Sequence, residues 1–81
     1  MQLEILTPEK KIFEGDVTIV TFPGVEGSFQ VMDNHAPLIS LLQKGVVEFK
    51  TNAGAQSIDI AGGVVEVLKN RVIVLATGTV A

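Results

Sequence analysis

The sequence has no cysteine. No disulfide can brace its fold and no zinc–thiolate site can form, which fits a reducing compartment. Tryptophan and tyrosine are also missing, and four phenylalanines are the only aromatic residues. That is too few for a base-stacking platform. Positive charge is scarce, with six Lys and Arg against nine Asp and Glu for a net charge of −3, and the cations do not cluster. Phosphate backbones are bound through such clusters, so nucleic acid is not an expected partner. No segment approaches the roughly 20 apolar residues that a membrane-spanning helix needs. Met1-Gln2-Leu3-Glu4 lacks the basic start and long apolar core of a secretion signal. The expectation is a soluble cytoplasmic chain that meets a membrane only by docking on a membrane complex.

Catalytic chemistry is equally sparse. His35 is the single histidine. A catalytic base needs a nucleophile or an orienting carboxylate beside it. Asp33 is two residues away, but no serine sits in a nucleophile-elbow pattern. Beside Asn34 and Pro37, His35 reads as a turn-stabilising or packing residue. Asp33-Asn34-His35 supplies too few ligands for a metal. The glycines form neither a GxxxxGK[ST] nor a GxGxxG phosphate loop. No cofactor is implied, and a free-standing enzyme is not expected.

Apolar residues, by contrast, are abundant. They make up 47% of the 81 residues, against 19% charged. A single domain of this size buries only about 60–65% of the surface its unfolded chain exposes. Its core cannot hide that many apolar side chains, so part of the surplus is expected on a partner-binding face.

The dominant pattern has period two. In Val46–Thr51, Val47, Phe49 and Thr51 face one way and Glu48 and Lys50 the other; Ile58 and Ile60 likewise oppose Ser57 and Asp59. Such alternation suits a sheet with one buried face. Val64–Leu68 and Arg71–Ala76 alternate less and read as strands with apolar contacts on both faces. Turn signals punctuate the chain: Glu14-Gly15-Asp16 between two early strands, Pro23-Gly24 ending the run from Val17, and Asn52-Ala53-Gly54 closing a hairpin. Gly62-Gly63 marks a bend or close backbone approach, and Lys69-Asn70 joins the last strands with Asn70 at positive φ. Ala36–Leu42 is apolar but makes a poor helix, with Pro37 at its start and Gly45 soon after. Many short strands at this spacing indicate an all-β antiparallel sandwich or barrel in one domain, 1–81.

Four ordered segments resemble the epsilon subunit of F-type ATP synthases. Pro8-Glu9 to Phe13-Glu14-Gly15 resembles the family's opening, which ends in F-x-G. Glu26-Gly27 to His35-Ala36-Pro37-Leu38 resembles its EG…HAPL stretch. Ile60-Ala61-Gly62-Gly63-Val64-Val65-Glu66-Val67 is similar to its GG-containing strand, and Arg71–Ala76 to the strand that follows.

The resemblance implies a flattened β-sandwich of about ten short strands, a non-catalytic module of the central stalk. It would bind the gamma subunit on one side and the polar loops of the c-ring on the other. It would lie at the cytoplasmic face of the cell membrane and couple ion translocation to ATP synthesis. The resemblance places Glu26, Gly27 and Ser28 on a loop facing the c-ring, where the family often has a carboxylate in place of Ser28. Thr7, His35 and Ser40 fall on positions toward gamma, and Leu38, Leu41 and Leu42 join the same contact with Ile39. Typical members continue into a helical hairpin that this sequence lacks, so inhibition by a hairpin is not expected of it. Two other classes remain: a lipoyl or biotinyl carrier domain, with Lys69 at a hairpin tip but without the usual flanking residues, and a generic β-sandwich ligand-binding domain.

Overall fold

The computed structural model describes residues 1–80. Nine strands follow one another: β1 (Gln2–Leu6), β2 (Lys11–Asp16), β3 (Ile19–Gly24), β4 (Gly27–Met32), β5 (Leu38–Leu42), β6 (Gly45–Thr51), β7 (Gly54–Ile60), β8 (Gly63–Leu68) and β9 (Arg71–Ala76). They form one continuous sheet in the order β2-β1-β9-β8-β5-β3-β6-β7, with β4 on the other side of β3. The sheet folds over on itself. The half β2-β1-β9-β8-β5 faces the half β4-β3-β6-β7, and the body measures 29 × 28 × 19 Å. The all-β expectation holds and the shape is flattened. Among the described residues nine strands are present rather than about ten, and β1 runs parallel to β9 while every other named pair is antiparallel.

The fold-over is made by one stretch of chain. Residues 38–51 run through β5, turn at Gln43–Gly45, and continue as β6. β3 follows them round this corner. It pairs with β6 through Ile19–Thr21 and meets β5 at Gly24, opposite Leu42. Backbone bonds from Gln43 N–H to Pro23 C=O (2.9 Å) and from Val25 N–H to Leu41 C=O (3.1 Å) tie the two sides together. The inside of the corner is tight, because a β-carbon on Gly45 would stand 2.7 Å from Cβ of Pro23. Pro23-Gly24, read from the sequence as a turn signal ending the run from Val17, therefore forms the last two paired residues of β3 instead of the turn. Pro23 lies within β3 where the strand passes from β6 to β5, and the chain turns only at Val25-Glu26. A ring that cannot donate to a ladder is tolerated at such a discontinuity.

Glu14-Gly15-Asp16 likewise lies inside β2, paired with Glu4, Leu3 and Gln2, and the break falls at Val17-Thr18. Phe13, opposite Ile5, turns inward and crosses the core to Phe49 of β6, with ring centroids 4.5 Å apart. Facing aromatics of this kind add about 0.5–1.5 kcal/mol beyond their area. Three expected turns are present. Thr51 pairs with Gly54 across Asn52-Ala53. Lys69 and Asn70 adopt φ of 51° and 62° between β8 and β9. Gly62-Gly63 leads into β8.

The core is the set of inward positions of both halves. Leu3, Ile5, Val20, Phe22, Val31, Val47, Phe49, Ile60, Val65, Val67, Val72 and Val74 are all essentially buried. β-Branched and aromatic side chains dominate because they suit a pleated surface packed on one side. Beyond β9 the chain crosses to the other half. Ala61 N–H donates to Gly78 C=O (3.0 Å) and Val80 N–H to Asp59 C=O (3.1 Å), so this segment lines the edge of β7.

Gly63 shows how little slack the backbone has. Its φ is 154°, and an added β-carbon would run into the carbonyl oxygen of Leu75 and come within 2.9 Å of Cα of Ala76. Both obstacles are backbone atoms of the neighbouring strand and cannot step aside. Gly63→Ala is expected to lower stability by at least about 2 kcal/mol, as a conformational and steric change combined. Urea unfolding followed by circular dichroism measures this, with Gly78→Ala, where a β-carbon meets open space, as the near-neutral comparison.

Candidate partner-binding surface

The outer faces of the two halves differ. On the half β4-β3-β6-β7 the outward residues are mixed. Register aligns Gln30, Thr21, Glu48 and Ser57 in one row, and Gln30 bonds weakly to Thr21 (3.4 Å). That face needs nothing more than water.

The half β2-β1-β9-β8-β5 is another matter. Its strands bury Leu3, Ile5, Val65, Val67, Val72 and Val74 on the inside, and their alternate residues are also largely apolar. Strand register places Leu41, Val64, Leu75 and Leu6 side by side in one row across β5, β8, β9 and β1. Leu41 is 63% exposed and Leu75 52%, with Val64 half-buried between them and Leu6 half-buried beyond Leu75. The next row carries Ile39, Glu66, Ile73 and Glu4. Ile39 is 71% exposed. Scattered exposed apolar residues are ordinary, but a contiguous row on a flat face marks an interaction surface. The sequence reading of apolar contacts on both faces of β8 and β9 is thus half fulfilled within the chain, since only the inner contacts are made.

Carboxylates border this face. Lys11 Nζ lies 2.9 Å from Glu14 and 3.1 Å from Glu4 at the β1–β2 margin. The hydrogen bond to Glu14, and then that to Glu4, holds the Lys11 ammonium above its ordinary pKa. The same contact holds the Glu14 carboxyl below its own. Lys11 and Glu14 are open to water and Glu4 is half-buried, so the trio adds little stability. It marks where the apolar surface stops.

At one end of the face the tip of the β3–β4 hairpin projects past the corner. Glu26, Gly27 and Ser28 are exposed there. The turn is Val25-Glu26, and Gly27 follows with φ of 126°, a conformation that L residues rarely adopt. Between this tip and β5 runs an open groove of about 450 Å³. Val25, Glu26, Ser28 and Phe29 line one wall and Ile39 and Leu41 the other.

The remaining expected site residues separate. Thr7 lies at the hairpin-tip end, where its hydroxyl accepts from Lys10 N–H (3.2 Å) and donates to Lys10 C=O (3.1 Å), closing the β1–β2 turn. His35 lies at the opposite end. Its N–H donates to Met32 C=O (3.2 Å), Asn34 before it has φ of 65°, and its Nδ1 lies 2.7 Å from Ala36 C=O. It stabilises a turn, as read from the sequence, but it is exposed rather than packed. On β5, Leu38 and Ser40 are half-buried on the inward side, and Leu38 packs against the core. Leu42 is 4% exposed and belongs to the core, so its side chain is not offered to any partner. Of the expected residues of β5, only Leu41, with its neighbour Ile39, points outward.

Leu75, Val64, Ile73 and Leu6 were not singled out from the sequence. The weak alternation in β8 and β9 was the available signal. Only cross-strand register shows that these residues meet Leu41.

Leu41 and Leu42 give a direct check. An unpaired carboxylate in an apolar core is strongly destabilising. Leu42→Asp is expected to abolish the cooperative thermal transition seen by circular dichroism. Leu41→Asp is expected to keep it within a few degrees of the original midpoint.

Known proteins were compared with this chain. The family model described as "ATP synthase, Delta/Epsilon chain, beta-sandwich domain" matches residues 1–81. The ATP synthase epsilon chain of a Nitratiruptor species is 49% identical over 81 residues, covering 99% of this chain and 63% of its own length. That of Sulfurimonas denitrificans is 46% identical over 82 residues, with 100% and 63% covered. This chain therefore spans less than two thirds of the length of these relatives. Among solved structures, a chain from the Euglena gracilis mitochondrial ATP synthase (OSCP/F1/c-ring) superposes with a TM-score of 0.88 at 22% identity, covering 96% of this chain and 51% of that one. A chain from the Tetrahymena thermophila mitochondrial ATP synthase (central stalk/c-ring) gives 0.78 at 17%, covering 93% and 61%. At such identities the likeness concerns the fold. The family match along the whole sequence, and the same flattened all-β body in the structure, lead to one conclusion: the chain belongs to the ATP synthase delta/epsilon-chain β-sandwich family.

Proposed function

We propose that this domain is a non-catalytic rotor module of an ATP synthase, clamped between the gamma subunit and the c-ring and turning with both. The observation that carries the reading is the apolar row Leu41–Val64–Leu75–Leu6 on one outer face. Nothing within the described chain covers it. A relative named an ATP synthase epsilon chain and a structural neighbour from a central stalk and c-ring support the choice of partners.

In this reading the apolar face docks on gamma. Burying one such leucine is worth about 1.5–3 kcal/mol, and a row of them offsets the rotational and translational freedom lost on association. The exposed tip Glu26-Gly27-Ser28 meets the polar loops of the c-ring, with Ser28 offering a hydroxyl rather than a second charge. Thr7 and His35 stand at opposite ends of the sandwich. A gamma contact that reaches both runs the length of β5, past Ile39 and Leu41. Torque is then carried by a sheet with few hinges, tied at its corner by backbone bonds. The module reaches the cytoplasmic face of the membrane only through the complex, and the ATP chemistry belongs to other subunits. The carrier-domain alternative gives way to family membership, although Lys69 does stand exposed at the β8–β9 tip.

Co-purification of the tagged chain with gamma and c-ring tests this. Leu41→Asp and Leu75→Asp, both at exposed positions, are expected to keep the fold and weaken gamma binding at least about tenfold, because each places a charge in a desolvated contact. Folded variants that hold gamma as tightly as the parent chain would overturn the assignment of this face. Ser28→Arg is expected to leave gamma binding unchanged and to lower coupled ATP synthesis in membrane vesicles; unaltered synthesis counts against the c-ring contact.

A further inference from the structure

Asn70 stands in the turn between β8 and β9, at the end of the sandwich opposite the hairpin tip. The turn has two central residues, Lys69 and Asn70, both at positive φ, between the paired Leu68 and Arg71. Tight hairpins with positive φ at both centres favour glycine at the second. Asparagine tolerates the conformation, but the turn makes no use of its side chain.

That side chain is engaged elsewhere. Asn34 N–H donates to Asn70 Oδ1 at 2.8 Å, across 36 positions of sequence. Asn34 is the third residue of a turn that His35 N–H closes on Met32 C=O (3.2 Å), and its own φ is 65°. Such a turn uses the N–H of its fourth residue and leaves that of the third without a partner inside the turn. Asn70 accepts this spare donor. Its backbone C=O also accepts Gln2 N–H (3.2 Å). One residue thus fastens the β8–β9 turn both to the start of β1 and to residues 33–37, the link between β4 and β5. That link belongs to no strand, so no ladder holds it in place. His35 rides on it, and it leads directly into Leu38, Ile39 and Leu41 of β5.

We propose that Asn70 is a positioning residue: its side-chain carbonyl selects one placement of residues 33–37 and so fixes His35 at its end of the apolar seam. The bond is open to water and adds little to global stability. Its effect is local, on where the link stands. That this placement serves a gamma contact rests on the reading of the face given above.

Two substitutions separate the side chain from the turn. Asn70→Gly suits the positive φ and removes the acceptor; Asn70→Asp keeps an acceptor oxygen in the same place. Amide hydrogen exchange followed by NMR is expected to quicken about two- to tenfold at Asn34 and His35 in Asn70→Gly, the scale of one neutral hydrogen bond. The amides of β8 and β9 should keep their parent rates, and Asn70→Asp should restore slow exchange at Asn34. Residue 70 is far from Asn34 in sequence, so neither change touches the intrinsic rate of that amide. Gamma affinity is expected to fall severalfold in Asn70→Gly and to recover in Asn70→Asp. Parent-like exchange at Asn34 and His35 in Asn70→Gly would overturn the proposal, as would equal exchange in the Gly and Asp variants. Leu41→Asp serves as the reference for gamma binding. If it weakens gamma binding and Asn70→Gly does not, the positioning role of Asn70 fails. If neither weakens it, the reading of the face fails and takes this role with it.

Discussion

The bend in the strand from Leu38 to Thr51 is the constraint on which the rest of the structure depends. A sheet of this composition has one strongly apolar side and must cover it. With 81 residues and no helix among the described residues, the only cover is the sheet itself. The chain meets this by passing one strand from the first half to the second at Gln43–Gly45. β3 is carried round the same corner, and Pro23 rests on Gly45. β8 and β7 take their places on either side of the bend because each pairs with one arm of that strand.

The consequence is an asymmetric body. One outer face is polar enough to stand in water. The other repeats on its outside the aliphatic pattern of its inside, since β5, β8 and β9 carry apolar residues at both parities. A core two strands deep cannot absorb both sets. The surplus of apolar residues over a small domain's capacity is therefore concentrated on one face, where it makes a seam bordered by carboxylates. A partner that covers this seam turns a flat sheet into an internal layer, so the domain can be held without a deep pocket. The hairpin tip, thrust past the corner, is exposed by the same bend and lies at one end of the seam. One feature of the backbone thus sets both proposed contacts.

The Met1 end shows a different economy. Residues far apart in sequence close it, through Val17 N–H to Met1 C=O, Gln2 N–H to Asn70 C=O and Asn34 N–H to Asn70 Oδ1. Such closure is specific but depends on hydrogen bonds, whereas the corner depends on packing and on the absence of a β-carbon.

Much of the fold was legible in the sequence because its causes are local. Period-two patterning marked Val47, Phe49, Ile58 and Ile60 as inward residues, and the turns at Asn52-Ala53 and Lys69-Asn70 follow from residue types that tolerate those conformations. The four family segments placed the chain in its family. The sequence misplaced two boundaries, at Gly15 and Pro23, because glycine and proline normally signal turns, whereas here Gly15 fits a strand beside the ring of Phe13 on the same strand and Pro23 a strand at a corner. It could not separate Leu41 from Leu42, or find Leu75 and Val64. Which parity of a strand faces inward, and which exposed residues lie side by side, are decided by register with strands far away in the chain. Composition therefore determined that apolar surface would be left over. Only the tertiary pairing of β5, β8, β9 and β1 decided that it would form one continuous seam.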